Sequence, residues 1–82
     1  MIDLDAFSGK LSMSRLLSLE PVGIRRLLKS GLRRGATNDE VAVILKNDCQ
    51  LDPESLPAQQ LLEHFKAIGW FVYHGDRWKT HF

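Results

Sequence analysis

The spacing of apolar residues changes once along this chain, at Gly69, and that change limits the folds open to it. Before Gly69, apolar residues recur every three or four positions, which is the period of amphipathic helices. After Gly69, the chain reads Trp-Phe-Val-Tyr-His-Gly-Asp-Arg-Trp-Lys-Thr-His-Phe, a composition rich in aromatic and β-branched residues that is typical of strands. The pattern predicts a mainly α chain with a C-terminal two-stranded β-hairpin.

Two helices are predicted in the first part of the chain. The first spans residues 22–34, where apolar residues recur at helical spacing, and Gly35 is a natural C-terminal cap. Thr37 and Glu40 have the spacing of a capping box, in which the threonine hydroxyl accepts from the backbone and the glutamate reaches back. We therefore expect a second helix that starts at Thr37 and ends near Asn47.

A third main helix is predicted over residues 57–68, where apolar residues again share one face and Gly69 ends the pattern. A shorter helix is expected over residues 12–19, because Pro21 disfavours helical backbone at the residue before it. Residues 1–9 are interpreted as an N-terminal arm that presents three apolar side chains: Ile2, Leu4 and Phe7.

The two strands of the hairpin are predicted to meet at Gly75 and Asp76, because glycine takes the positive φ of a tight primed turn. Pairing His74 with Arg77 then sets the register of the strands. In this register one face, expected to lie over the core, carries Phe71, Tyr73, Trp78 and Thr80.

The charges of the chain are segregated, although the net charge is only +1. Residues 10–34 contain seven cations and one acid, which gives +6, and residues 35–65 contain six acids and one lysine, which gives −5. Such asymmetry bears on partners rather than on the fold.

A basic stripe is the most informative part of this asymmetry. On the predicted first helix, a sector of roughly 100° opposite the apolar side carries Arg25, Arg26, Lys29 and Arg33, and Arg34 continues it at the helix end. Within that helix no carboxylate lies three or four residues away. The stripe predicts contacts with phosphates. The alternative is a solvated face that pairs with Asp39 and Glu40 of the same chain.

The order of these elements resembles that of winged helix-turn-helix domains. The resemblance spans residues 22–82, and its two most similar stretches are Gly-Ala-Thr-Asn-Asp-Glu-Val-Ala over residues 35–42 and the passage from the third helix into the hairpin over residues 61–79. It implies a DNA-binding fold of three main helices and a wing, with the third helix in the major groove. The implied further contacts are Gln59, Gln60 and Lys66 on that helix and Arg77 and Lys79 on the wing.

Two functions follow from these patterns. The first is a small DNA-binding or regulatory winged-helix-like domain that grips the backbone of double-stranded DNA through the basic stripe. The second is a small protein-binding adaptor or inhibitor that offers the same stripe to an acidic partner surface. In the second function the apolar arm docks on the partner or on a second copy, which makes a homodimer.

Several other classes of protein are not expected. With 82 residues and Cys49 as the only cysteine, the chain has room for one domain without a disulfide, which fits a reducing, cytoplasmic compartment. No apolar run approaches the ~20 residues of a membrane span, and no secretory signal is recognisable. The three histidines lack metal-ligand spacing. No glycine-rich phosphate loop or nucleophile–base pair indicates an enzyme, a cofactor or a small-molecule substrate.

Overall fold

A computed structural model describes residues 4–82 and confirms a mainly α chain that ends in a two-stranded antiparallel hairpin. A short 3-10 turn at Leu4–Ala6 is followed by the helices α1 (Met13–Ser18), α2 (Val22–Ser30), α3 (Asn38–Asn47) and α4 (Leu56–Ala67), and then by the strands β1 (Phe71–His74) and β2 (Arg77–Thr80). Among residues 4–82, none of the helices combines the length and the apolar character that crossing a bilayer requires.

Hydroxyl side chains begin three of these helices. Ser12, Thr37 and Ser55 each accept a hydrogen bond from the backbone N–H three residues further on. At Thr37 the carboxylate of Glu40 also accepts from the Thr37 backbone N–H at 3.1 Å, which completes the predicted capping box. Caps of this kind contribute about 1 kcal/mol each. The predicted starts of α3 and α4 are confirmed to within one residue.

Helix α2 is shorter than the sequence predicts. It ends at Ser30 and not at residue 34, because the carbonyl of Gly31 accepts from the backbone N–H of Thr80 at 2.9 Å. Arg33 then takes a left-handed φ of 61°, which no α-helix allows. The prediction for residues 31–34 is therefore wrong, and the predicted stripe loses its last two arginines from the helix.

The register of the hairpin is confirmed at all four pairs, from His74–Arg77 to Phe71–Thr80. Gly75 has a φ of 66°, as the tight turn requires. On the inner face, the rings of Phe71 and Trp78 are buried and stacked, with centroids 5.1 Å apart. Tyr73 remains 39% exposed at the rim of this face, so only part of the predicted face is covered by the core.

Phe7, near the start of the described residues, belongs to the core. Phe7 is only 2% exposed, and its ring centroid lies 5.3 Å from that of Phe65 and 6.1 Å from that of Trp70. Leu4 packs against the same core. Phe7 is therefore not available for the expected docking on a partner or on a second copy, because its contacts with Phe65 and Trp70 bury it. Ile2 lies outside the described residues.

Gly31, the C-cap of α2, lies close against the hairpin. A Cβ atom at this position would overlap Oγ1 of Thr80 and lie 2.5 Å from the ring of Phe71. The Thr80 hydroxyl in turn donates to the carbonyl of Leu28. Only glycine permits this approach.

We therefore expect Gly31→Ala to lower the free energy of unfolding by about 1–3 kcal/mol, since overpacking forces the backbone apart. Urea denaturation measures the change. Ser14→Ala, on the exposed side of α1, is the control and should stay within about 0.5 kcal/mol of the parent chain. An unchanged midpoint for Gly31→Ala would mean that α2 and the hairpin do not meet as described.

Candidate functional site

Two arginines of the predicted stripe are held within their own fold. Arg25 is half-buried: its Nε donates to the carbonyl of Leu19 at 2.5 Å and its Nη2 lies 3.8 Å from a carboxylate oxygen of Glu20. Arg26 forms an ion pair with Asp48, with 2.7 Å between Nη1 and Oδ1. These guanidinium groups already have acceptors, so the structure does not present them as a free binding surface.

The backbone of residues 31–36 runs along β2 and carries two further cations of the predicted stripe, Arg33 and Arg34. The carbonyl of Gly31 accepts from Thr80, and Ala36 exchanges two backbone hydrogen bonds with Trp78, at 2.9 and 2.6 Å. These bonds hold the intervening loop, with exposed Arg33 and Arg34, beside the strand.

The outward residues of β2 meet this loop at Gly35. A Cβ atom there would lie 3.2 Å from Cγ of Lys79 and 3.4 Å from Cβ of Arg77, so both side chains start on the side of the strand that faces the loop. Lys29 is exposed in the last turn of α2, and within residues 4–82 no hydrogen bond or ion pair of its side chain ties it to this loop or to β2. The structure thus assembles a basic edge, which consists of Arg33, Arg34, Arg77 and Lys79.

The basic edge carries positive charge that its own fold leaves unpaired. In the part of the chain that the structure describes, none of its four members has a carboxylate within 4.0 Å. Glu40 senses this charge: its pKa is lowered mainly by the backbone and hydroxyl of Thr37 and further by the charges of Arg77 and Arg34. Because one carboxylate senses both arginines, the loop and β2 bring them to the same place.

The predicted contacts on α4 are not brought to this edge. Lys66 is paired with Glu63, with 3.1 Å between Nζ and Oε1, and Nε2 of Gln59 donates to the carbonyl of Glu54 at 3.3 Å. Gln60 is exposed and makes no hydrogen bond within residues 4–82. Helix α4 packs against β1, whereas the basic edge follows β2 on the side of residues 31–36.

Sequence reasoning missed Asn38, which positions the edge without belonging to it. Its Oδ1 accepts from Nε1 of Trp78 at 2.8 Å, and its Nδ2 donates to the hydroxyl of Tyr73 at 3.2 Å. The start of α3 is thereby fastened to both strands. An asparagine after a capping threonine gives no local signal for such a contact, because its partners lie 35 and 40 residues further along the chain.

Cys49, the only cysteine of the chain, is half-buried. Burial and the neighbouring charge of Asp48 raise the pKa of the Cys49 thiol to about 11, so that it stays protonated at neutral pH. Residues 4–82 contain no group of three or more His, Cys, Asp or Glu side chains placed to hold a metal ion.

Comparisons with protein-family models, with curated proteins and with solved structures find no match for this chain.

The lowered pKa of Glu40 predicts how stability depends on pH. Because the folded state favours the charged carboxylate, Glu40 stabilises the fold above the ordinary value of 4.5 and loses that contribution as pH falls through its lowered folded value. Glu40→Gln should therefore flatten the loss of stability between pH 4.5 and that lowered value. Urea unfolding of both proteins, from about pH 6 to about pH 3, measures the effect. Parallel profiles would contradict the interaction.

Proposed function

We propose that this chain is a small winged-helix-like domain that binds double-stranded DNA by phosphate contacts from the basic edge. The order of elements supports the first half of the proposal: α2, α3 and α4 precede a hairpin, as in the winged helix-turn-helix order that the sequence resembles. The second half depends on the basic edge itself, since fold alone does not decide function.

One observation carries the proposal. Cations from two separate segments, the loop over residues 32–35 and β2, lie side by side on one edge with no ion pair among the described residues. A phosphate backbone is a regular array of negative charge, and each lysine or arginine that contacts it releases a condensed counterion. Arginine is also able to bind a phosphate through two parallel hydrogen bonds.

The double variant Arg33→Ala/Lys79→Ala tests this proposal. Fluorescence anisotropy with a duplex of random sequence should show that the variant binds at least about tenfold more weakly than the parent chain, because two charge-assisted contacts are lost. The slope of log affinity against log salt should fall by about 0.9 for each contact. Arg33 is exposed, Lys79 is half-buried, and neither side chain makes a hydrogen bond or ion pair within residues 4–82, so the melting temperature should change little.

The matched control is Lys10→Ala/Lys46→Ala, which removes the same charge from exposed positions outside the basic edge. It should bind almost as the parent chain does. Equal losses in the two double variants would show that only net charge matters and would contradict a defined edge.

Removing the neighbouring acid should act in the opposite direction. Glu40→Gln keeps the capping geometry but deletes the negative charge that faces Arg34 and Arg77. Duplex binding at low salt should therefore become tighter, and the difference should shrink as salt screens the charges. Weaker binding by this variant would contradict the placement of the duplex at the basic edge.

A second candidate function is a protein-binding adaptor that applies the same edge to an acidic partner. Its support is the pair of exposed acids at the start of α3, Asp39 and Glu40, which repel a duplex but suit a partner of mixed charge. This function is favoured if no duplex binds at about 20 mM salt. Poly-glutamate should then bind, and Arg33→Ala/Lys79→Ala should weaken that binding.

A further inference from the structure

We infer that the basic edge binds duplex DNA of any base sequence, because helix α4 takes no part in the contact. The inference rests on the proposed function and adds the class of target: the phosphate backbone, independent of the bases. It departs from the winged-helix expectation, in which the third helix enters the major groove. Three features of the structure carry it.

The first feature is the state of the exposed side chains on α4. Reading a base edge with glutamine requires a free amide that reaches two atoms of the base. The amide nitrogen of Gln59 is engaged by the carbonyl of Glu54, and Lys66 is paired with Glu63 on the same helix. Within residues 4–82 only Gln60 among the predicted readers is unengaged.

The second feature is the charge around α4. Asp52 and Glu54 are exposed immediately before the helix begins, and Glu63 is exposed along it. The cation on its exposed face, Lys66, is already neutralised by Glu63. A duplex brought up to α4 therefore meets carboxylates where it needs cations, and that approach costs free energy.

The third feature is the position of the strongest charge along β2. The turn end of the strand has acids beside it, because Asp76 precedes Arg77 and Glu40 faces it. The other end, where Thr80 bonds to Gly31, adjoins the start of the loop that carries Arg33. Arg34, by contrast, faces Glu40 together with Arg77. Lys79 lies at this end of the strand, next to the final pair of the register.

A duplex attracted to the basic edge is therefore drawn to the end of β2 far from the turn, while α4 packs against the other strand. Contacts made there reach phosphate and sugar. Such contacts fix the position of a protein on DNA but carry no direct information on sequence. Binding through the basic edge is for this reason sequence-independent.

The experiment compares the parent chain with two double variants on three duplexes of about 20 base pairs and unrelated sequence. The three dissociation constants of the parent chain should agree within about threefold at each salt concentration. Gln59→Ala/Gln60→Ala should leave all three unchanged, whereas Arg33→Ala/Lys79→Ala should weaken all three by the same factor. Selection from a random duplex library, with sequencing of the bound fraction, completes the test.

The outcomes separate the inference from the function it rests on. A selected sequence that binds about a hundredfold more tightly than the others overturns sequence independence. If Gln59→Ala/Gln60→Ala then removes the preference, α4 reads the bases, which the inference denies. The proposed function survives that result. Failure of every duplex to bind at low salt instead overturns the proposed function, and the inference with it.

Discussion

The backbone hydrogen bonds that fasten residues 31–36 to strand β2 determine both where α2 ends and where the basic edge forms. The carbonyl of Gly31 accepts from Thr80, and Ala36 pairs with Trp78. The first contact draws the chain out of the helix at a position where a side chain would overlap Thr80. The second places the loop against the outward residues of the strand. The same hydrogen bonds that hold α2 and the loop against the hairpin therefore bring the cations of the loop beside those of β2.

Trp78 is the residue on which these elements converge. Its ring stacks on Phe71 at 5.1 Å, its indole N–H donates to Asn38, and its backbone pairs with Ala36. Because residues alternate across a strand, burying Trp78 turns its neighbours Arg77 and Lys79 outward. The orientation of the two cations is thus a consequence of aromatic packing on the opposite face. The core and the candidate site are two sides of one strand.

Local signals predicted the parts of the fold that local interactions create. The capping box at Thr37 gave the start of α3, and the turn at Gly75 gave a hairpin register that is confirmed at every pair. The end of α2 and the burial of Phe7 depend on partners far away in sequence, such as Thr80 and Phe65, and no periodicity contains them. For the same reason, the sequence identified the members of the basic edge but not their arrangement.

The unpaired state of the basic edge is itself informative about function. Elsewhere in the described chain, Arg26 of α2 pairs with Asp48 at the end of α3. Arg33 lies beyond α2 and Lys79 belongs to a strand, so the dipole of that helix stabilises neither charge. Like charges held together on one edge repel one another and lower the stability of the fold. A ligand that supplies negative charge removes this repulsion, and a polyanion removes it along the whole edge at once.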